Sequence, residues 1–155
     1  MKIILVQPRI GYMDALRSAP GLPLGLLSAA SEIARNYEVE LIDARLVKDL
    51  ETRICGALTT DTLFVGITCH TGPMILGALQ ISGFVKRNSN IPVVWGGIHA
   101  SLSPEQTVTD PNVDICVIGE GEQTALDLAN ALEFAKPLHS VPGIVFWQDG
   151  WAVRT

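Results

Sequence analysis

Two pairs of glycines follow two short apolar segments, and they are the residues of this sequence best suited to hold a ligand. Residues 91–95 run into Gly96-Gly97-Ile98-His99, and residues 115–118 run into Gly119-Glu120-Gly121-Glu122. An apolar segment of this length is typical of a parallel strand that is buried on both faces. Glycines directly after such a strand allow a tight turn and leave space for a ligand beside the backbone. We therefore expect the two turns to lie side by side at one edge of a sheet and to form a binding site.

Polar residues also follow the first and third apolar segments, which span residues 2–7 and 63–67. Carboxyl ends of parallel strands meet at one edge of a sheet, so these residues should join the glycine turns. For Glu122 a second interpretation stays open, because acids are common in the first turn of a helix. The predicted cofactor-binding residues are Pro8, Arg9, Thr68, Cys69, His70, Thr71, Gly96, Gly97, Ile98, His99, Gly119, Glu120, Gly121 and Glu122. We expect no catalytic residue and no metal ligand among them.

The elements that must position these turns alternate along the chain. Strands are predicted at residues 2–7, 39–42, 63–67, 91–95 and 115–118, with helices between them. This alternation predicts an α/β, flavodoxin-like (Rossmann-like) three-layer fold, with a five-stranded parallel sheet in the order 2-1-3-4-5. A helix is expected over residues 46–58, and Ser103-Pro104-Glu105-Gln106 has the spacing of a capping box.

The last part of the chain has a different pattern. Asp149-Gly150 separates two short apolar segments and is a two-residue turn typical of β-hairpins. We expect residues 1–136 to form the α/β domain, and residues 137–155 to form a linker and a small C-terminal β-hairpin. That hairpin would either extend the sheet edge or lead into another part of the protein.

Composition excludes several classes of function. With 155 residues, 48% hydrophobic and 17% charged, the chain is expected to fold as one domain with a full core. A net charge of −5 without a basic segment argues against nucleic acid as a partner. No apolar stretch reaches the length of a membrane span, so we expect no membrane partner and a cytoplasmic location. The three cysteines, Cys55, Cys69 and Cys116, are too far apart for a metal site and are expected to be reduced and mostly buried.

Other ligands of this fold class match the sequence poorly. A nicotinamide dinucleotide site would need G-x-G-x-x-G after the first strand, where Pro8-Arg9-Ile10-Gly11 stands instead. Asp43, at the end of the second strand, is the one element of that motif present. A phospho-acceptor receiver domain would need acids after strands one and three and a lysine after strand five, and all are missing. A flavin site would favour a Ser/Thr-rich loop after strand one, which is also missing.

An ordered set of segments resembles the N-terminal cobalamin-binding domain of cobalamin-dependent radical S-adenosylmethionine (radical SAM) enzymes. That group includes carbon and phosphorus methyltransferases and the anaerobic magnesium-protoporphyrin ester cyclase. The segments that carry the resemblance are Pro23-Leu24-Gly25-Leu26-Leu27, Val39-Glu40-Leu41-Ile42-Asp43, Val65-Gly66-Ile67-Thr68, Val94-Trp95-Gly96-Gly97-Ile98-His99 and Gly119-Glu120-Gly121-Glu122.

The resemblance implies how the cofactor would bind. Many cobalamin proteins supply a histidine to cobalt from a D-x-H-x-x-G motif after strand one, and nothing here matches that motif. The expectation is therefore base-off cobalamin, with its nucleotide tail entering the sheet edge and no histidine ligand to cobalt. His70 is the one side chain that would coordinate cobalt if that expectation failed. The lower face of the corrin would meet either residues 9–13 or residues 69–71.

The resemblance also implies a larger enzyme. Radical SAM enzymes bind a 4Fe-4S cluster through C-x-x-x-C-x-x-C, which is missing here, so this chain alone is expected to bind its cofactor without catalysis. The parent enzyme, most simply a methyltransferase, would add a catalytic domain in cis that carries the cluster and S-adenosylmethionine. The alternatives are a cofactor-free interaction domain, with side chains filling the space at the sheet edge, and a domain that binds another small molecule. We also expect a bulky residue at Gly97 to abolish corrinoid binding and leave the fold intact.

Overall fold

The computed structural model describes residues 1–15 and 19–155. The chain folds into a mostly parallel sheet with helices on both faces. The strands are β1 (Lys2–Gln7), β2 (Glu38–Asp43), β3 (Thr62–Thr68), β4 (Val93–Gly96), β5 (Ile115–Val117), β6 (Ile144–Gln148) and β7 (Trp151–Arg154). The helices are α1 (Tyr12–Ala15), α2 (Leu24–Ile33), α3 (Leu50–Ala57), α4 (Met74–Asn88), α5 (Ile98–Leu102), α6 (Pro104–Thr107) and α7 (Gly121–Glu133).

The strands lie in the order β2-β1-β3-β4-β5-β6-β7. Neighbours from β2 to β5 are parallel, which confirms the predicted five-stranded sheet and its order 2-1-3-4-5. The parallel direction follows from the helical crossovers, because each helix returns the chain to the edge from which the previous strand began.

Each face of the sheet is covered by its own helices. One face packs against α3 and α4, with Val93 and Trp95 of β4 in that layer of the core. The other face packs against α2 and α7, with Val94 of the same strand in that second layer. The alternation follows from the period of two in a β-strand, so Gly96 points to the same face as Val94. This gives the three-layer arrangement that the sequence predicted.

One predicted helix start was wrong, and a second predicted helix begins at Pro104 as expected but without its capping hydrogen bond. The helix expected from residue 46 begins at Leu50, because Asp49 is its N-cap and its Oδ1 accepts a hydrogen bond from the backbone N–H of Thr52 (3.1 Å). Leu46 lies before the helix and is 69% exposed. The predicted capping box is also absent, since the side chain of Ser103 makes no capping hydrogen bond at the start of α6.

The C-terminal hairpin continues the sheet. Strand β6 pairs antiparallel with β5, and β7 pairs antiparallel with β6. Asp149 and Gly150 both have positive φ, 53° and 88°, as a two-residue hairpin turn requires. Of the two predicted alternatives for this hairpin, an extension of the sheet edge is therefore confirmed. Among the described residues, none of the helices has the length and apolar character needed to cross a membrane.

Candidate functional site

A cavity of about 390 Å³ lies between the sheet and the helices α2 and α7, at the carboxyl ends of the strands. Its floor is apolar and consists of side chains from four adjacent strands: Leu5, Phe64, Val94 and Val117. Its walls are Gly25, Leu26 and Ala29 of α2 and Ala125 of α7. The turns after β3, β4 and β5 border it where it reaches the surface, and Ile98 there is 49% exposed.

The cavity exists because small residues stand where the sheet and helices would otherwise meet. A Cβ atom on Gly66, in the middle of β3, would lie only 2.7 Å from Cδ2 of Leu5. On the helical side, the lining residues Gly25, Ala29 and Ala125 have small side chains or none, so the helices project little into the cavity. A glycine inside a strand weakens that strand and commonly marks a close approach of a ligand or another backbone. Gly66 therefore makes room for the side chain of Leu5 in the cavity floor, while the open space lies beside Gly25 and Gly96, where a Cβ atom would meet nothing within 4 Å.

The two glycine turns lie side by side, and Ser101 of α5 joins them. Its hydroxyl donates a hydrogen bond to the carbonyl oxygen of Gly97 (3.0 Å) and accepts one from the backbone N–H of Gly119 (2.9 Å). The turn after β3 is tied to the same group, because the backbone N–H of Cys69 donates to the carbonyl oxygen of Gly96 (2.9 Å). Three strand ends thus form one connected edge.

The two glycines at the end of β4, Gly96 and Gly97, have different constraints. Gly96 lines the cavity, and a Cβ atom there would meet nothing within 4 Å. Gly97 has φ 88° and ψ −172°, a region that is essentially restricted to glycine. A Cβ atom on Gly97 would stand 3.0 Å from both the carbonyl oxygen of Cys69 and Oγ1 of Thr68. The expectation that a bulky residue at Gly97 leaves the fold intact was therefore wrong, because the turn itself requires glycine.

Eight of the predicted site residues line the cavity: Thr68, Gly96, Gly97, Ile98, Gly119, Glu120, Gly121 and Glu122. Glu122 also links the two walls, since it accepts a hydrogen bond from the hydroxyl of Ser28 on α2. That bond, together with the backbone of the first helical turn, lowers the pKa of the Glu122 carboxyl below its usual value. Both interpretations of Glu122 thus have a basis, as an acid in the first turn of α7 and as a residue at the cavity.

The remaining predicted residues of the β3 and β4 turns lie beside the cavity and do not line it. Cys69 is buried, and burial raises the pKa of its thiol to about 12. His70 is exposed, and its backbone N–H contacts Sδ of Met74 (3.2 Å). The hydroxyl of Thr71 lies 3.2 Å from Nδ1 of His99.

Pro8 and Arg9 also stand away from the cavity lining. The guanidinium group of Arg9 donates hydrogen bonds to the carbonyl oxygens of Ala44 (2.9 Å) and Val47 (3.0 Å). It therefore holds the turn after β2. A contact between these two residues and a cofactor stays a prediction.

Asp43, the one residue that matched a dinucleotide motif, is engaged within the protein. Its carboxylate accepts hydrogen bonds from Nε (2.8 Å) and Nη2 (2.6 Å) of Arg45, which also donates to the carbonyl oxygen of Gly21 (2.8 Å). Burial alone would raise the pKa of Asp43, but the hydrogen bonds and charge of Arg45 outweigh it and lower that pKa. Asp43 therefore anchors the chain before α2.

Eleven lining residues are missing from the predicted set: Leu5, Gly25, Leu26, Ala29, Phe64, Gly66, Ile67, Val94, Ser101, Val117 and Ala125. Gly66 carried a signal, because an isolated glycine inside an apolar strand suggests a close approach. The others carried none, since apolar residues on buried strands and small residues on helices are ordinary core residues.

Comparison with known proteins agrees with this geometry. Residues 17–129 match the model of the B12 binding domain family. An uncharacterized methyltransferase of Pyrococcus horikoshii is 34% identical over 155 residues, covering 97% of this chain and 33% of that protein. The anaerobic magnesium-protoporphyrin IX monomethyl ester cyclase of Synechocystis is 29% identical over 164 residues, covering 100% of this chain and 32% of that protein.

Among solved structures, the fold matches the radical S-adenosylmethionine methyltransferase TsrM of Kitasatospora setae, solved with cobalamin and a 4Fe-4S cluster bound. The TM-score is 0.83 at 23% identity, over 99% of this chain and 28% of that one. This chain spans about a third of the length of the two sequence relatives. The match over residues 17–129, together with the cavity at the sheet edge, shows that the chain belongs to the B12 binding domain family.

Proposed function

We propose that this chain binds cobalamin base-off, with the nucleotide tail of the cofactor in the cavity between the sheet and α2/α7. The observation that carries the proposal is the cavity itself, which is open beside Gly25, Gly96 and Gly119, where a Cβ atom would meet nothing within 4 Å. Thr68, Gly96, Gly97, Gly119 and Gly121 would lie along the tail. The cofactor-free alternative predicted side chains filling this space, and the open cavity argues against it.

The proposal includes a cobalt atom without a histidine ligand. The chain has three histidines, and none of them lines the cavity. His70 is exposed in the turn after β3, and His99 contacts Thr71. His139 packs edge-on against Phe146 of β6, with ring centroids 5.2 Å apart. These positions support a site in which the protein holds the tail and leaves the cobalt to solvent or to another part of the protein.

The role proposed for the chain is binding and orientation. Cobalamin supplies the cobalt chemistry, which in this group of enzymes is methyl transfer or radical chemistry. The sheet, α2 and α7 would shield the tail from water on three sides, and the hydrogen bonds of Ser101 hold the turns beside it. We expect the chain to serve as the cofactor domain, residues 1–136, of a larger radical SAM methyltransferase. Residues 137–155 would lead toward the domain that carries the 4Fe-4S cluster and S-adenosylmethionine.

Visible spectroscopy after gel filtration tests the proposal. The protein is mixed with hydroxocobalamin, separated from free corrinoid, and its spectrum recorded. We expect co-eluting corrinoid with a base-off spectrum, because the lower base would leave cobalt to enter the cavity. Cobinamide, which lacks the nucleotide tail, should bind much more weakly. Failure to retain hydroxocobalamin, or equal retention of cobinamide, would contradict the proposal.

A variant at His70 tests separately whether cobalt lacks a histidine ligand. His70→Ala should leave the spectrum of the bound corrinoid unchanged, because the imidazole is not expected to reach cobalt. A clear spectral shift in this variant would show that His70 coordinates the metal.

A further inference from the structure

We propose that the cavity selects among corrinoids by their lower base and favours dimethylbenzimidazole over adenine. This inference rests on the proposed function, since it assumes that the nucleotide tail enters the cavity. It goes further in naming which natural corrinoids the site accepts. The selectivity depends on which chemical groups the cavity offers to a flat, bicyclic base.

The inner lining of the cavity is apolar. Leu5, Leu26, Phe64, Val94 and Val117 line it, and each is less than a tenth exposed. The glycines and alanines between them add no polar side-chain atoms. A base with an apolar edge would therefore gain from burial here, and the two methyl groups of dimethylbenzimidazole are such an edge.

Two of the polar side chains that line the cavity, Ser101 and Glu122, already have partners. The hydroxyl of Ser101 donates to Gly97 and accepts from Gly119. The carboxylate of Glu122 accepts from Ser28. Across residues 1–15 and 19–155, no buried side-chain nitrogen or oxygen lacks a hydrogen-bond partner. The other two polar lining side chains belong to Thr68, the last residue of β3, and to the exposed Glu120 after β5, so the apolar floor itself offers no side-chain donor or acceptor to a base.

The strand backbone at the floor offers no free groups either. Gly66 lies opposite Val94 and Val94 opposite Ile115 in parallel ladders. The peptide groups of the central strands are therefore committed to the sheet. Thr68 is the last residue of β3, two residues beyond Gly66 and therefore nearer to the edge of the sheet.

Adenine would lose more than it gains on entering this space. It carries an exocyclic amino group and more ring nitrogens than dimethylbenzimidazole, and all of these are hydrogen-bonded to water outside. Leaving one such group unsatisfied in an apolar site typically weakens binding by roughly tenfold or more. We therefore expect the dissociation constant of the adenine corrinoid to exceed that of cobalamin by at least about tenfold.

Spectroscopic titration with three corrinoids tests the inference. Hydroxocobalamin, its analogue with adenine as the lower base, and cobinamide are titrated separately into the protein. The inference predicts the tightest binding for cobalamin. Equal affinities for cobalamin and the adenine analogue would overturn it and leave the proposed function standing, provided that cobinamide binds more weakly. If no corrinoid binds, the proposed function and the inference are both wrong.

A matched pair of variants on β4 locates the selectivity. Val94→Thr adds a hydroxyl on the cavity side of the strand, while Val93→Thr makes the same change in the core layer on the other face. We expect V94T to reduce the preference for cobalamin over the adenine analogue by about threefold or more, since one hydrogen-bond partner becomes available. V93T should leave the ratio unchanged. Equal ratios in V94T, V93T and the original protein would show that the floor of the cavity does not select the base.

Discussion

Gly96 and Gly97 are adjacent, yet replacing each by alanine should have opposite consequences. Gly97 has φ 88° and ψ −172°, and holding alanine in that region costs about 1–3 kcal/mol. The new Cβ atom would also press on the carbonyl oxygen of Cys69 and Oγ1 of Thr68, each 3.0 Å away. The backbone oxygen cannot move without disturbing the turn. We therefore expect Gly97→Ala to lower the free energy of unfolding by about 2–4 kcal/mol.

Gly96→Ala should behave differently, because a Cβ atom there meets nothing within 4 Å and φ is not positive. Its stability should be unchanged or raised by up to about 1 kcal/mol, through the reduced entropy of the unfolded chain. Its side chain would enter the cavity, so cobalamin binding should weaken while the fold stays intact. Gly96 thus offers the clean test of the cavity that Gly97 does not.

Urea denaturation measures both effects. With an m-value of about 2 kcal/mol/M, the expected loss in Gly97→Ala corresponds to a decrease of about 1–2 M in the midpoint. Gly96→Ala should unfold at or slightly above the original midpoint. Equal midpoints for the two variants would refute the argument that the turn after β4 needs glycine specifically at its second position.

Three further predictions concern Ser101 between the glycine turns, the buried thiols, and Asp43, which holds the chain before α2. Ser101→Ala should cost about 1–2 kcal/mol of stability and weaken cobalamin binding, because it removes both hydrogen bonds between the turns. Ser103→Ala is the control; thermal or urea unfolding that shifted equally in both would contradict the role of Ser101. At pH 8, iodoacetamide should modify Cys55 alone in the native protein, because burial raises the pKa of the other two thiols to about 12. Mass spectrometry that found all three labelled without denaturant would show that the core opens readily. Asp43→Asn should lower stability by about 1–3 kcal/mol at pH 7. Since the pKa of Asp43 is lowered in the folded state, its contribution is present above pH about 4 and is lost as the pH falls further. The difference between Asp43→Asn and the original protein should therefore narrow in acid, and a constant difference from pH 7 to pH 3 would contradict this account.

The sheet was predictable because its strands carry strong local signals. Continuous apolar segments bounded by glycine, proline or polar residues define each parallel strand, and the alternation with helices leaves few possible topologies. The helix starts were less predictable. Leu46 extends an apolar spacing toward α3, but the cap at Asp49 decides where that helix begins. Ser103 has the spacing of a cap without making its hydrogen bond.

The site was predicted in part for a similar reason. Gly96, Gly97, Gly119 and Gly121 follow strands directly, so topology alone brings them to one edge. Whether a residue faces the cavity depends on packing between layers, which sequence spacing does not fix. Ser101 shows this limit, because its two hydrogen bonds join turns that are far apart in the chain.

A crystal structure of the protein with hydroxocobalamin would show directly where the nucleotide tail lies. We expect density for the dimethylbenzimidazole base inside the cavity, against Phe64 and Val117, and no imidazole within bonding distance of cobalt. A corrinoid bound with its base still on cobalt, or with its tail outside the space between the sheet and α2/α7, would show that the cavity is not the site of the tail.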